Sequence, residues 1–173
     1  MIGPDDVVVF LGDLGRFAGE EDLRRWLGEL RGRIIFIEGN CWANNFNGLT
    51  PPWDDNMVYS FHKYWNPNTQ EAIQEFLDMR QKYNIPLWLG ETGENSNTWF
   101  TNLIRLLDHH KIGWSWWPEK QLGDQNNPLT VKMNPGYREL LEYWRGNAPK
   151  PSIAEARDAL MQLTENLKLE NCI

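Results

Sequence analysis

The sequence predicts an α/β fold built as part of a (β/α)8 barrel, and three of its segments carry that prediction. The first is Pro86-Leu87-Trp88-Leu89-Gly90-Glu91-Thr92-Gly93, a short apolar run that reads as a buried strand and delivers a carboxylate where the strand stops. The second is Met57-Val58-Tyr59-Ser60-Phe61, which ends in His62-Lys63-Tyr64-Trp65. The third is Ile112-Gly113-Trp114-Ser115-Trp116-Trp117. Helical patterns lie between them, and in such barrels the chemistry sits where the strands end. Gly90 and Gly93 bracket Glu91, so a ligand can approach the backbone closely on either side. A carboxylate, a His, a Tyr and several Trp at neighbouring strand ends suggest sugar chemistry.

In chain order the elements mostly alternate. Residues 7–11 form a short β-branched run, a strand by composition. Residues 20–30 follow a helical period, with Leu23, Trp26, Leu27 and Leu30 on one face. Residues 33–38 read as a second strand, opening a loop over 39–56 that is rich in Asn, Gly and Pro. After the strand ending at His62, residues 69–83 read as a helix that turns Ile73, Phe76, Leu77 and Tyr83 inward. Beyond the Glu91 strand, residues 98–110 are helical and carry Leu103, Ile104, Leu106 and Leu107; the last strand is 112–117. Five strands are too few to close a barrel. Residues 123–135 read as loop and 136–144 as a short helix. Gly146-Asn147-Ala148-Pro149-Lys150-Pro151 is a linker by composition, and Ser152-Ile153-Ala154-Glu155 is a capping box opening a helix to about Leu167. The expected organisation is therefore a strand–helix segment over 1–33, a half barrel over 34–145, and a linker with a C-terminal helix over 146–173.

Composition narrows the class. The chain has 173 residues, whereas a complete eight-unit barrel usually needs ~250. Ten Trp is a high count; most are expected in packing, with the rest free to stack on the apolar faces of sugar rings. A net charge of −7 gives no basic footprint for a nucleic-acid partner. Cys41 and Cys172 have no metal-ligand spacing, and their pairing is open. No run approaches the ~18 apolar residues of a membrane span. The start Met1-Ile2-Gly3-Pro4-Asp5-Asp6 shows no secretory signal.

From about residue 34 to 173 the sequence resembles the C-terminal half of a glycoside hydrolase family 5 enzyme, the cellulase family. The matching segments are Ile35-Phe36-Ile37-Glu38-Gly39-Asn40, Tyr59 to Trp65, Leu87 to Glu94, and Gly113 to Trp117, in the order of the family's fifth to eighth barrel strands. The resemblance implies a retaining β-glycoside hydrolase, endoglucanase-like, acting on a β-linked polysaccharide. Glu91 would be the nucleophile, forming a glycosyl-enzyme opposite a second carboxyl group ~5–5.5 Å away. His62 and Tyr64, two apart on one strand end, point to the same side. His62 would join the active-site network, and the Tyr64 hydroxyl would orient Glu91 and keep it ionised. Trp117 would form the platform under the sugar that loses its leaving group. Chemistry by two carboxylates needs neither metal nor cofactor, and none is expected. The family also implies an extracellular setting.

Other residues read less sharply. Glu94, Asn95 and Asn97 follow Glu91 on its loop, as sugar ligands or as a solvated loop. Trp53, Trp65 and Trp99 are packing residues first and outer-subsite walls second. His109 and His110 end a helix, where a cation suits the macrodipole, and both read as structural. Glu38 also ends a strand, but the resemblance puts it on strand five, where the family does not carry its acid. That acid is the Glu of an Asn-Glu-Pro motif, and this chain has no Asn-Glu dipeptide, so a missing N-terminal half of the barrel is an expected partner.

The segment from Pro4 to Gly15 resembles instead the Gly-Asp block of calcineurin-like metallophosphoesterases, with Asp13 and Asn40 standing where two metal ligands would be. Cys41 and Trp42 replace the family's following His and Asp, and its other motifs are absent, so no metal site is expected. A metallophosphoesterase-type phosphohydrolase and a non-catalytic carbohydrate-binding half barrel are the two alternatives.

Overall fold

The computed structural model describes the backbone path of residues 8–11, and residues 25, 32–123 and 126–173 in full. Apart from Arg25, the helix expected over 20–30 lies outside the described residues, as does Asp13. Two compact units divide the chain: Met1–Thr92 with Asn97–Trp116, and Gly93–Ser96 with Trp117–Ile173.

In the first unit, β1 (Val8–Leu11), β2 (Ile34–Glu38), β3 (Met57–His62), β4 (Leu87–Glu91) and β5 (Gly113–Trp114) form one parallel sheet in chain order. Period-two alternation decides which face is covered. Ile35 and Ile37, Met57, Tyr59 and Phe61, and Leu87 and Leu89 are buried together with residues from the crossover helices. Those helices are α1 (Gln74–Tyr83), entered through a 3-10 turn at Glu71–Ile73, and α2 (Asn97–His109). Phe76 and Leu77 of α1 and Leu103 and Leu107 of α2 meet the sheet, and Phe61 stacks on Phe76 with ring centroids 4.1 Å apart. Each such side chain contributes roughly 1.5–3 kcal/mol when fully buried. The predicted partial barrel of parallel strands and helices is what forms, and among the described residues the sheet is open, with β1 and β5 at its edges.

The alternate positions carry Phe36 and Trp88, whose rings meet edge to face at 5.8 Å. A Cβ on Gly113 would stand 2.2 Å from the Trp88 ring, so only glycine fits beneath the indole. The last strand is shorter than the expected 112–117. Ser115 nevertheless stays tied to β4, its N–H donating to Leu89 O at 3.0 Å and its hydroxyl to Gly90 O at 2.5 Å.

The loop after β2 opens with a turn at Asn40–Ala43 in which Cys41, Trp42 and Ala43 have φ of 52°, 56° and 58°. Left-handed backbone costs roughly 1–2 kcal/mol per non-glycine residue. The turn is clamped by Asn40 N–H to Asn45 O at 2.7 Å and Asn45 N–H to Asn40 O at 2.9 Å. It delivers Phe46 into the core against Tyr59, with centroids 5.1 Å apart.

In the second unit β6 (Lys120–Leu122) pairs parallel with β7 (Leu129–Val131). Two helices follow, α3 (Pro135–Trp144) and α4 (Ile153–Asn166). The reading of 123–135 as loop is corrected by β7: Leu129-Thr130-Val131 is too short to stand out among Asn and Pro, yet Thr130 and Val131 are buried. Asn134 caps α3 by accepting from Tyr137 N–H at 2.8 Å, and its amide donates to Ala159 O in α4 at 3.0 Å. The capping box expected at the next helix is present, with Ser152 and Glu155 exchanging hydrogen bonds.

Candidate active site

Simple alternation would turn Glu91 toward the helix-covered face with Leu87 and Leu89. A register shift between Phe61 and His62 prevents this: Phe61 pairs with Leu89, but His62 pairs with Glu91, leaving Gly90 as the extra residue of a bulge. Bulges re-aim side chains, and here the bulge brings the carboxylate beside His62 and onto the side of the sheet that carries Glu38 and Ser60.

Three strand ends then converge on one network. His62 Nδ1 lies 3.4 Å from Glu91 Oε2, and the Tyr64 hydroxyl donates to the same oxygen at 3.0 Å. On its other edge, His62 Nε2 lies 3.2 Å from Glu38 Oε1, which also accepts from Ser60 Oγ at 3.2 Å. The hydrogen bond from His62 is the main cause holding the Glu38 carboxyl below the usual carboxylate range, against the opposing effect of burial. Glycine at position 90 makes the space, since a Cβ there would stand 2.3 Å from Ser60 Oγ and 2.8 Å from Glu38 Oε1.

The loop that carries Tyr64 is held from below. Lys63 is buried, and its ammonium donates to Asn66 O at 2.9 Å and Asn66 Oδ1 at 2.8 Å. It also sits 4.9 Å from the centre of the Trp99 ring. Burial lowers its pKa to about 8. Trp99 indole N–H donates to Asn66 O at 3.3 Å, and Asn68 donates to Trp99 O at 2.9 Å. Trp99 is thus part of the loop's support.

Of the residues expected at a site, Glu91, His62 and Tyr64 come together. Trp65 is 70% exposed, which corrects its first reading as a packing residue: it follows Tyr64 on the loop, outside the helix-covered core, its ring 5.5 Å from that of Tyr64. Trp53 and Trp42 are also exposed, so among the described residues fewer Trp are buried than composition suggested. Trp117 and Asn95 belong to the second unit. There Trp117 is exposed, and its carbonyl packs where a Cβ on Gly93 would be, 2.2 Å away. Asn95 accepts from Ser96 N–H at 2.8 Å and is tied to Asn126 O through its own N–H. Asn40 Oδ1 is engaged by Cys41 N–H at 2.8 Å, in a turn. Both cysteines are free thiols. At His110 burial, with His109 and Arg80 nearby, lowers the pKa and favours the neutral ring.

Sequence reasoning passed over Ser60, and set Glu38 aside because its strand was not expected to carry the acid. What joins them is register, which the structure supplies: Glu38 pairs with Ser60, two positions before His62.

A family model described as cellulase (glycosyl hydrolase family 5) matches residues 25–121. No curated protein matches the chain significantly. Among solved structures, the catalytic domain of a mannanase from Streptomyces sp. SirexAA-E aligns over 75% of this chain and 48% of its own, at 14% identity and a TM-score of 0.52. A β-mannanase from Streptomyces thermolilacinus aligns over 70% and 44%, at 15% identity and 0.48. An endo-β-1,4-glucanase from Xanthomonas axonopodis pv. citri aligns over 78% and 50%, at 18% identity and 0.44. The chain thus spans about half the length of each of these structures. The family model covers more than half of the chain, and the chain belongs to glycosyl hydrolase family 5.

Proposed function

We propose that this chain supplies the nucleophile side of a retaining β-glycosidase acting on a β-linked glucan or a related β-glycan. The observation that carries the reading is the hydrogen bond from the Tyr64 hydroxyl to Glu91 Oε2, with the Nδ1 edge of His62 3.4 Å from the same oxygen. The Tyr64 hydrogen bond and the adjacent His62 ring hold Oε2 in place and leave Oε1 to attack the anomeric carbon. In that step the Oε1–C1 bond forms as the glycosidic C–O bond breaks, and the leaving oxygen departs with the electron pair. The ester that results carries no charge.

The leaving oxygen requires a proton, and general acid catalysis typically supplies ~10²–10⁴-fold in rate. The family places that acid in an Asn-Glu-Pro motif, and no Asn-Glu dipeptide occurs here. Glu38 is a poor substitute, because its carboxyl is held ionised and its Oε1 is already occupied. Turnover of an unactivated polysaccharide by this chain alone is therefore expected to be slow, whereas a dinitrophenyl leaving group, which needs little protonation, is tolerated. Trp117, Trp65 and Asn95 are carried over as sugar-contacting residues on sequence alone.

The test is covalent trapping with dinitrophenyl 2-deoxy-2-fluoro-β-cellobioside, followed by intact-mass and peptide mapping. A stoichiometric adduct on Glu91, absent from Glu91→Gln, is expected. Retention of the sugar by binding without any adduct would instead support a non-catalytic carbohydrate-binding role.

A further inference from the structure

We propose that Glu38 is a positioning residue of this site, holding the His62 ring so that its Nδ1 edge faces Glu91; the assignment rests on Glu91 being the nucleophile. Glu38 reaches no farther than His62 and Ser60 in the described contacts, so it acts on Glu91 through the imidazole. The two side chains are 16% and 10% exposed, and a carboxylate so enclosed is tolerated only when hydrogen-bonded. Among the described residues its partners come from β3 alone, at fixed register, and the missing Cβ of Gly90 is what leaves the carboxylate its place.

The chemistry of the ring then follows. A carboxylate accepts and does not donate, and Glu38 is the nearer of the two, 3.2 Å from Nε2 against 3.4 Å from Glu91 to Nδ1, so the neutral ring keeps its proton on Nε2. Nδ1 faces a second carboxylate, Glu91, and that contact becomes an N–H donation only when the ring carries both protons. The groups facing the ring are thus two carboxylates, one at each nitrogen, with the Tyr64 hydroxyl sharing Glu91 Oε2. When Glu91 becomes an ester its charge is lost, and Glu38 is the anion left beside the ring. Glu38 therefore serves the state in which Glu91 cannot.

The experiment uses the full 173-residue chain labelled with 15N-histidine, whose three rings are separable by substitution. In the wild type, His62 Nε2 is expected to carry a proton in slow exchange. Glu38→Ala should lose that signal and slow Glu91 trapping at least tenfold. Glu38→Gln, which keeps an acceptor of the same shape, should retain the Nε2 proton and recover part of the rate. A wild-type ring protonated on Nδ1 alone overturns the proposal without any variant, which covers the case of a Glu38→Ala that does not fold. So does a folded Glu38→Ala with unchanged ring spectrum and trapping rate. If the wild type is never trapped at Glu91, the glycosidase reading fails. The ring spectra of wild type and Glu38→Ala then still decide whether Glu38 holds His62.

Discussion

A methyl group on Gly90 would stand 2.3 Å from the hydroxyl of Ser60, closer than any side-chain carbon tolerates. Ser60 is fully buried and donates to Glu38, so it cannot turn aside without losing that bond. Gly90→Ala is therefore expected to lower stability by about 1–3 kcal/mol, the usual cost of overpacking, read as a lower urea midpoint. Glu91 trapping should slow with it, because the bulge that aims the carboxylate sits at the same residue.

Tyr64→Phe removes one of the two groups on Glu91 Oε2 and leaves the ring in place. A hydrogen bond to a charged group contributes about 1.5–3 kcal/mol, so trapping should slow roughly 10–100-fold. The urea midpoint should stay near wild type, since the loop is held by Lys63 and Trp99. A variant trapped at the wild-type rate would remove Tyr64 from the chemistry.

Glu38 has a lowered pKa in the fold, so its contribution to stability is fully present above the ordinary value of 4.5 and is lost as pH falls through the lower folded value. Glu38→Gln cannot titrate. Melting temperatures measured from pH 7 down to about 3 should fall less steeply for this variant than for the wild type. Parallel curves would show that the carboxylate gains nothing from His62.

Lys63 has the same sign at the other end of the scale. Its pKa is lowered from 10.5 to about 8, so the folded state binds fewer protons across that interval and stability rises with pH there. The contribution is complete above 10.5 and lost as pH falls through about 8. Urea midpoints of wild type and Lys63→Met, compared across that interval, should differ by an amount that changes with pH. A constant offset would mean that Lys63 titrates as a solvent-exposed lysine does.

The sheet was legible because its strands are short apolar runs, within which the alternate residues Ile35 and Ile37, Tyr59 and Phe61, and Leu87 and Leu89 are buried together. The helices were legible through period, and α4 through its capping box. Glu91, His62 and Tyr64 were legible as strand-end residues, but their contact was not, because it depends on a bulge that breaks the same alternation. Glu38 was visible as a strand-ending acid, yet only the register of β2 on β3 shows that it faces Ser60 and His62. Leu129–Val131 stayed hidden because three residues carry too little period to outweigh the turn formers around them.

The clamp between Asn40 and Asn45 makes that stretch intolerant of a change in length, though tolerant of changes in side chain. Both ends are fixed by paired backbone hydrogen bonds, and Phe46 enters the core immediately afterwards. Inserting or deleting one residue would break the pairing and shift Phe46 out of step with Tyr59, whereas glycine at Cys41 or Trp42 would relieve the left-handed backbone. Trp42 is 82% exposed at the tip, so its identity is free to vary as far as the fold is concerned. Natural variation in relatives of this chain should therefore appear here as substitution within a segment of constant length.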